Sequence, residues 1–234
     1  MLNETFMIRR LPPLDVESSI FAHPKFEFWR AGTKSSLLLL HGATVAPDQT
    51  ACSWLSPAAV RIVTHPNRVL GSGLKGSSVL THYLYRPPAT ISADPKKVSP
   101  ASIMSSIIHQ VLGSECGKRI LRDEDDYAFI RESLEALEQV SMRQVTERCQ
   151  KLIKILGKLL VELGLGCLVV VIDRIDQVQG GLQKVVEILA DLIETSTSTV
   201  KIFLTARSRA AFDDTDMKEQ LGRRYARLTL NQDD

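Results

Sequence analysis

The apolar residues of this chain fall into two kinds of run, and the contrast predicts the fold class. Ser35-Ser-Leu-Leu-Leu-Leu-His-Gly42 and Cys167-Leu-Val-Val-Val-Ile172 are continuous, the first stopped by glycine and the second by Asp173. Short runs without a polar face suit strands buried on both sides of a parallel sheet. Val79-Leu-Thr-His-Tyr-Leu-Tyr85 alternates and is rich in β-formers, Val200-Lys-Ile-Phe-Leu-Thr205 reads as a fourth strand, and Tyr225 to Leu230 as a short fifth. Between the strands the apolar positions recur at helical spacing. Ser99-Pro-Ala-Ser opens a helix to about Leu112, with Ser99 as cap, Pro100 in the first turn, and Ile103, Ile107 and Val111 on one stripe. Residues 123–139 and 141–163 predict two more helices, the second carrying Val145, Cys149, Leu152, Leu156, Leu159 and Leu163 and stopping at Gly164-Leu-Gly166. Leu182, Val185, Val186, Leu189 and Ile193 mark another helix, and residues 213–222 a further one. Gln49 to Val63 has helical character, with Pro57 starting it late or kinking it. Residues 1–34 are set apart as a lead-in whose Phe26, Phe28 and Trp29 pin it against a domain spanning 35–234. Strands alternating with helices predict an α/β fold with a parallel sheet.

Composition changes this picture little. Of 234 residues, 44% are apolar and 24% charged, enough to build one large core. A formal net charge of +2 offers no global attraction for nucleic acid or an anionic membrane, and neither is expected as a partner. Arg223, Arg224 and Arg227 read as a solvated helix end. Cys52, Cys116, Cys149 and Cys167 form no CxxC pair, and the five histidines are scattered, so a metal cluster or a cysteine nucleophile is not expected. The run Cys167 to Ile172 falls far short of the ~20 residues that span a bilayer. Met1 to Pro13 lacks the apolar core of a secretory signal, and a cytoplasmic location is the expectation.

Three places carry candidate chemistry. Leu168-Val-Val-Val-Ile-Asp173-Arg-Ile-Asp176 delivers a carboxylate to the C-terminal edge of a buried strand, where α/β sheets bind ligands. In nucleotide-hydrolysing folds such an acid, here Asp173, holds magnesium, and a second, here Asp176, orients the attacking water. The plain alternative is a strand-ending turn cap. Lys201-Ile-Phe-Leu-Thr-Ala-Arg207 ends a strand in a hydroxyl and a cation, a layout in which Thr205 and Arg207 would sense a γ-phosphate, or an ordinary strand end. The third place is the loop after the first strand. A phosphate cradle needs G-x-x-x-x-G-K-[ST], because backbone N–H groups wrap the phosphates and the lysine reaches them. From Gly42 this chain has Pro47, Asp48 and Gln49 at the glycine, lysine and hydroxyl positions. A reversed charge at ~4 Å and an effective ε of about 20 is worth roughly 4 kcal/mol, turned from attraction to repulsion. Taking Thr50 or Ser53 as the hydroxyl still finds no lysine. Gly71-Ser-Gly-Leu-Lys75-Gly76-Ser-Ser78 has P-loop composition but leads into a strand, and reads as a hairpin-like connection. Without a metal, Asp173 and Asp176 at ~5 Å would repel by roughly 3 kcal/mol. Asp173→Asn is therefore expected to raise the denaturation midpoint slightly.

Together these residues resemble the NACHT-like NTPase domains of the STAND class, especially the version common in filamentous fungi. The matching features are Phe26 to Trp29 before the Leu37 to Gly42 strand, the Walker B-like Leu168 to Asp176, the sensor-like Ile202 to Arg207, and the helix ending His109-Gln-Val-Leu112. The resemblance implies a three-layer P-loop NTPase-type fold with a five-stranded parallel sheet in the order 5-1-4-3-2 and helices on both faces. It also implies a nucleotide-gated signalling switch, with Gly42, Asp173, Thr205 and Arg207 as a vestigial nucleotide site, Asp173 as magnesium ligand and Asp176 as catalytic acid only if the site works. The lost Walker A residues favour a non-catalytic domain acting through a protein partner or self-association, with no cofactor. Two alternatives stay open: a domain that binds Mg-ATP or Mg-GTP through an unconventional loop, and a fragment without retained activity.

Overall fold

The computed structural model describes residues 15–43, 55–71, 77–84, 98–120, 122–138, 140, 144–178, 181–207 and 215–231. Five strands, β1 (Ser36–Ala43), β2 (Ser78–Tyr83), β3 (Cys167–Ile172), β4 (Thr199–Arg207) and β5 (Tyr225–Asn231), form one sheet in the order β2-β3-β4-β1-β5. Every pairing is parallel. Read from the other edge this is the order 5-1-4-3-2, and the fold is the three-layer α/β arrangement of P-loop NTPases.

Nine helices connect or flank the strands among the described residues: α1 (Pro24–Ala31), α2 (Ser56–Thr64), α3 (Pro66–Leu70), α4 (Pro100–Gly113), α5 (Gly117–Ile120), α6 (Glu124–Glu138), α7 (Val145–Glu162), α8 (Gly181–Thr195) and α9 (Thr215–Leu221). Alternation along the strands sorts them into two layers. Leu37, Leu39, Leu168, Val170, Ile202 and Leu204 face a core built with α4, α6, α7 and α8. Leu38, Leu40, Val169, Val171 and Phe203 face a second core with α1, α2 and α3. Both faces of each central strand are buried, which is why β1 and β3 show no polar alternation.

The aromatic lead-in is an integral part of the second layer. A π-helical turn, Glu17–Phe21, precedes α1, whose N-terminus is capped by the His23 side chain accepting from the Lys25 N–H at 3.1 Å. Phe26 and Trp29 are fully buried, their rings 6.2 Å and 5.8 Å from that of Phe203, whereas Phe28, expected to share this role, is 68% exposed. At the other end of α1, the buried Lys201 ammonium donates to the carbonyls of Trp29 and Arg30, a cation set against the negative end of the helix. Burial pulls the Lys201 amine below its usual range.

Both sheet edges carry side-chain plugs. On β2, Gln110 Nε2 donates to the His82 carbonyl at 2.7 Å and its Oε1 accepts from the His82 N–H at 2.9 Å, as a neighbouring strand would. On β5, Lys25 Nζ donates to the Arg227 carbonyl at 2.8 Å.

Some expectations shift in detail. Pro57 delays α2 to Ser56, the short helices α3 and α5 are new, and β2 ends at Tyr83. Of the three arginines read as a helix end, Arg227 lies within β5, because α9 stops at Leu221, while Arg224 pairs with Glu194 at 3.1 Å. Gly71, at φ +56°, ends α3 and Ser78 starts β2. The connection read as hairpin-like runs between them, and its residues 72–76 lie outside the described residues.

Candidate functional site

Alternation also aims the first carboxylate. Asp173 follows β3 in phase with Val169 and Val171, so its side chain emerges at the C-terminal edge on the α2 side of the sheet. Its N–H donates to the Tyr83 carbonyl at 2.8 Å, prolonging the β2–β3 ladder. Thr205 of β4, in phase with Phe203, donates its hydroxyl to Asp173 Oδ1 at 2.5 Å and accepts the Arg174 N–H at 3.0 Å. From above, Ser56 Oγ at the start of α2 lies 3.0 Å and 2.9 Å from the two carboxylate oxygens. Asp173 is only 4% exposed. Burial pushes its carboxyl up to about 6, against the hydroxyls of Thr205 and Ser56 and the charge of Arg174, which favour the ionised form, while Asp176 adds a smaller upward push.

Asp176 belongs to a separate network. Arg174 adopts a left-handed conformation (φ 57°, ψ 49°), which folds its side chain back over the turn. Its Nε donates to both Asp176 oxygens at 3.1 Å and its Nη2 to Oδ2 at 2.9 Å. Gln177 Nε2 and the Arg207 N–H add bonds of 2.9 Å and 3.1 Å. Each carboxylate is thus held by its own donors, and Arg174 neutralises Asp176 directly.

All five residues singled out from the sequence sit at this edge. Gly42 is buried in β1 and registers with Arg207 on β4, Thr205 bonds Asp173, and Asp176 instead accepts from the Arg207 N–H. Pro47, Asp48 and Gln49 lie outside the described residues. The residue that sequence reasoning missed is Ser56. A signal was present: Ser56-Pro57 repeats the Ser99-Pro100 pattern that was read as a helix start. Ser99 caps α4 from outside, however, whereas Ser56 is the first residue of α2 and sends its hydroxyl to Asp173.

Ser56 also allows a second count along the candidate phosphate loop, whose positions 47–49 of the first count lie outside the described residues. In a working cradle the hydroxyl residue opens the helix directly after the lysine. Counted back from Ser56, the lysine position holds Leu55 and the preceding glycine position Trp54. Leu55 is fully buried among Leu38, Leu40, Ala58 and Ile62 in the second core. A buried leucine supplies no charge to a phosphate; residues 44–54, the rest of the loop, lie outside the described residues. Among the described residues, no group of three or more His, Cys, Asp or Glu side chains is placed to hold a metal ion. Nor is any described helix long and apolar enough to cross a membrane.

The sequence profile of the nephrocystin 3 N-terminal family matches residues 16–207. The chain belongs to the nephrocystin 3 N-terminal family. The matched region opens at the π-helical turn before α1 and closes on Arg207, so the family region holds the aromatic layer, strands β1 to β4, Ser56 and both carboxylate networks. No curated protein matches the chain.

Proposed function

We propose that this nephrocystin 3 N-terminal family member is a non-hydrolysing NTPase-fold domain, NACHT-like and of the STAND type, acting in cytoplasmic signalling through protein contacts. The observation that carries the reading is Leu55 buried at the lysine position beside Ser56, whose hydroxyl closes on Asp173. With the phosphate-binding cation replaced by core, the edge that would take a nucleotide is occupied by its own hydrogen bonds. A second reading, a domain that binds Mg-ATP or Mg-GTP through an unconventional loop, draws support from the same Ser56–Asp173 pair. A hydroxyl and a carboxylate side by side are the two groups that face magnesium in working sites.

A thermal-shift titration with magnesium and ATP, ADP, GTP or GDP separates the two. Ligand at 100 times its dissociation constant adds about 2.7 kcal/mol of stability, a rise of several degrees for a chain of this size. No shift at millimolar nucleotide is expected. A saturable shift, or hydrolysis abolished by Asp176→Ala, would overturn the reading in favour of the nucleotide-binding domain.

A further inference from the structure

On the sheet face opposite the Asp173 side chain, two neighbouring surfaces have opposite character. The first is a groove of ≈ 590 Å³ between α7 and α8, with Ile153, Gly157 and Val161 along it, Lys154 and Lys158 beside it, and one acid, Asp191 of α8, in its lining. From Gln150 to Val161 its α7 wall runs about 16 Å at 1.5 Å per residue, the length of three helical turns. Open space lies above Gly157, where an added Cβ would meet nothing within 4 Å, and Val161 is 55% exposed. Helix α7 has four basic residues (Arg148, Lys151, Lys154, Lys158) against two acidic ones.

The second surface is the outer ridge of α6. This helix turns Ile130 and Leu137 into the core and leaves Tyr127 (49%) and Leu134 (38%) exposed two turns apart. Glu124, Glu132 and Glu135 are exposed around them, with Arg131 paired to Glu135 at 3.6 Å. The helix has six acidic residues against one basic. Three of the four large apolar side chains exposed among the described residues therefore lie on α6 and α7. An acidic amphipathic helix beside a basic, apolar-lined groove is a self-complementary surface.

We propose that the α6 ridge of one copy docks in the α7–α8 groove of a second copy of this chain. Tyr127 and Leu134 supply the apolar anchors, the space over Gly157 receives one of them, and Glu124 and Glu135 meet Lys154 and Lys158 at the rim. Because one patch carries both halves, each copy gives a ridge and takes one, so the contact closes as a dimer or propagates head to tail. The opposite charges set register and partner choice, while the apolar burial holds the pair together. The contact is independent of the nucleotide edge, which lies on the α2 side of the sheet.

Light scattering coupled to sizing, on the full chain from about 5 to about 200 μM, tests this at low and high salt. The expected result is a weight-average mass that rises with concentration from 26.0 kDa to at least twice that value, less steeply at high salt. A groove variant, Lys154→Glu with Lys158→Glu, and a ridge variant, Glu124→Lys with Glu135→Lys, should each stay monomeric alone and associate when mixed in equal amounts. Since Lys158 also sits 3.2 Å above the Phe129 ring, Val161→Asp provides a groove variant that leaves that contact intact. It too should be monomeric, with a wild-type denaturation midpoint. A wild-type protein that remains at 26.0 kDa throughout, variants that associate like the wild type, or a mixture that stays monomeric would each overturn the proposal.

Discussion

Replacing Asp173 with asparagine tests whether the carboxylate edge is a strained site or a satisfied turn. Asp173 is buried, and its carboxyl is raised from 3.8 to about 6, chiefly by loss of water. Two pH units of upward shift correspond to about 3 kcal/mol of stability lost when the group ionises inside the fold. The sign follows from proton counting. Between about pH 4 and pH 6 the folded state keeps a proton that the unfolded state releases, so stability falls as pH rises through that window and the loss is complete above it. Asparagine removes the charge and keeps an oxygen for the Thr205 hydroxyl. Its amide N–H groups face Ser56, whose oxygen can accept but whose own proton loses its acceptor, at a cost of about 1 kcal/mol. The net expectation is a gain of about 2 kcal/mol at pH 7.5, with unchanged urea slope, shrinking to zero or a slight loss near pH 4. Urea titrations of both proteins at the two pH values measure the difference directly, and titrations shared by both cancel. An Asp173→Asn protein less stable than wild type at pH 7.5, or a difference that ignores pH, would refute the reasoning. The sequence led to the same direction by another route, repulsion between Asp173 and Asp176, but Arg174 neutralises Asp176 and burial supplies the larger effect.

Two further outcomes concern the layers around the site. Phe26→Ala, which removes a fully buried ring from the cluster with Phe21, Trp29 and Phe203, should cost about 3–5 kcal/mol in urea, and deleting residues 1–34 should leave a protein that does not fold. A folded 35–234 protein with the wild-type midpoint would show the aromatic layer to be dispensable. Gln110→Ala should cost about 1–2 kcal/mol and speed hydrogen exchange at the His82 amide, since one side chain supplies both bonds to that edge residue. Unchanged exchange there would mean that the plug does not protect the edge.

Much of the fold was legible because burial on two faces writes itself into the chain locally. The runs Leu37 to Leu40 and Leu168 to Ile172 have no polar phase because helices cover both sides, and the stripe on α7 declares its period within one element. The parallel strand order was legible only through the family resemblance, since spacing alone does not rank strands. Asp173, Asp176, Thr205 and Arg207 were recognisable because each ends a buried strand or follows one closely, and the C-terminal edge of an α/β sheet is where such residues converge. What the chain could not declare was the partner of each group. Ser56 and Asp173 are 117 residues apart, and nothing local to Ser56 distinguishes a helix-capping serine from one that donates to a distant carboxylate. Nor does sequence show that Arg174 turns left-handed to neutralise Asp176, or that Leu55 is core. Patterns of hydrophobicity report which faces lose water, a property each segment carries alone. Hydrogen bonds and charge pairs depend on distances of a few ångströms between remote segments, and only the packed tertiary structure determines those.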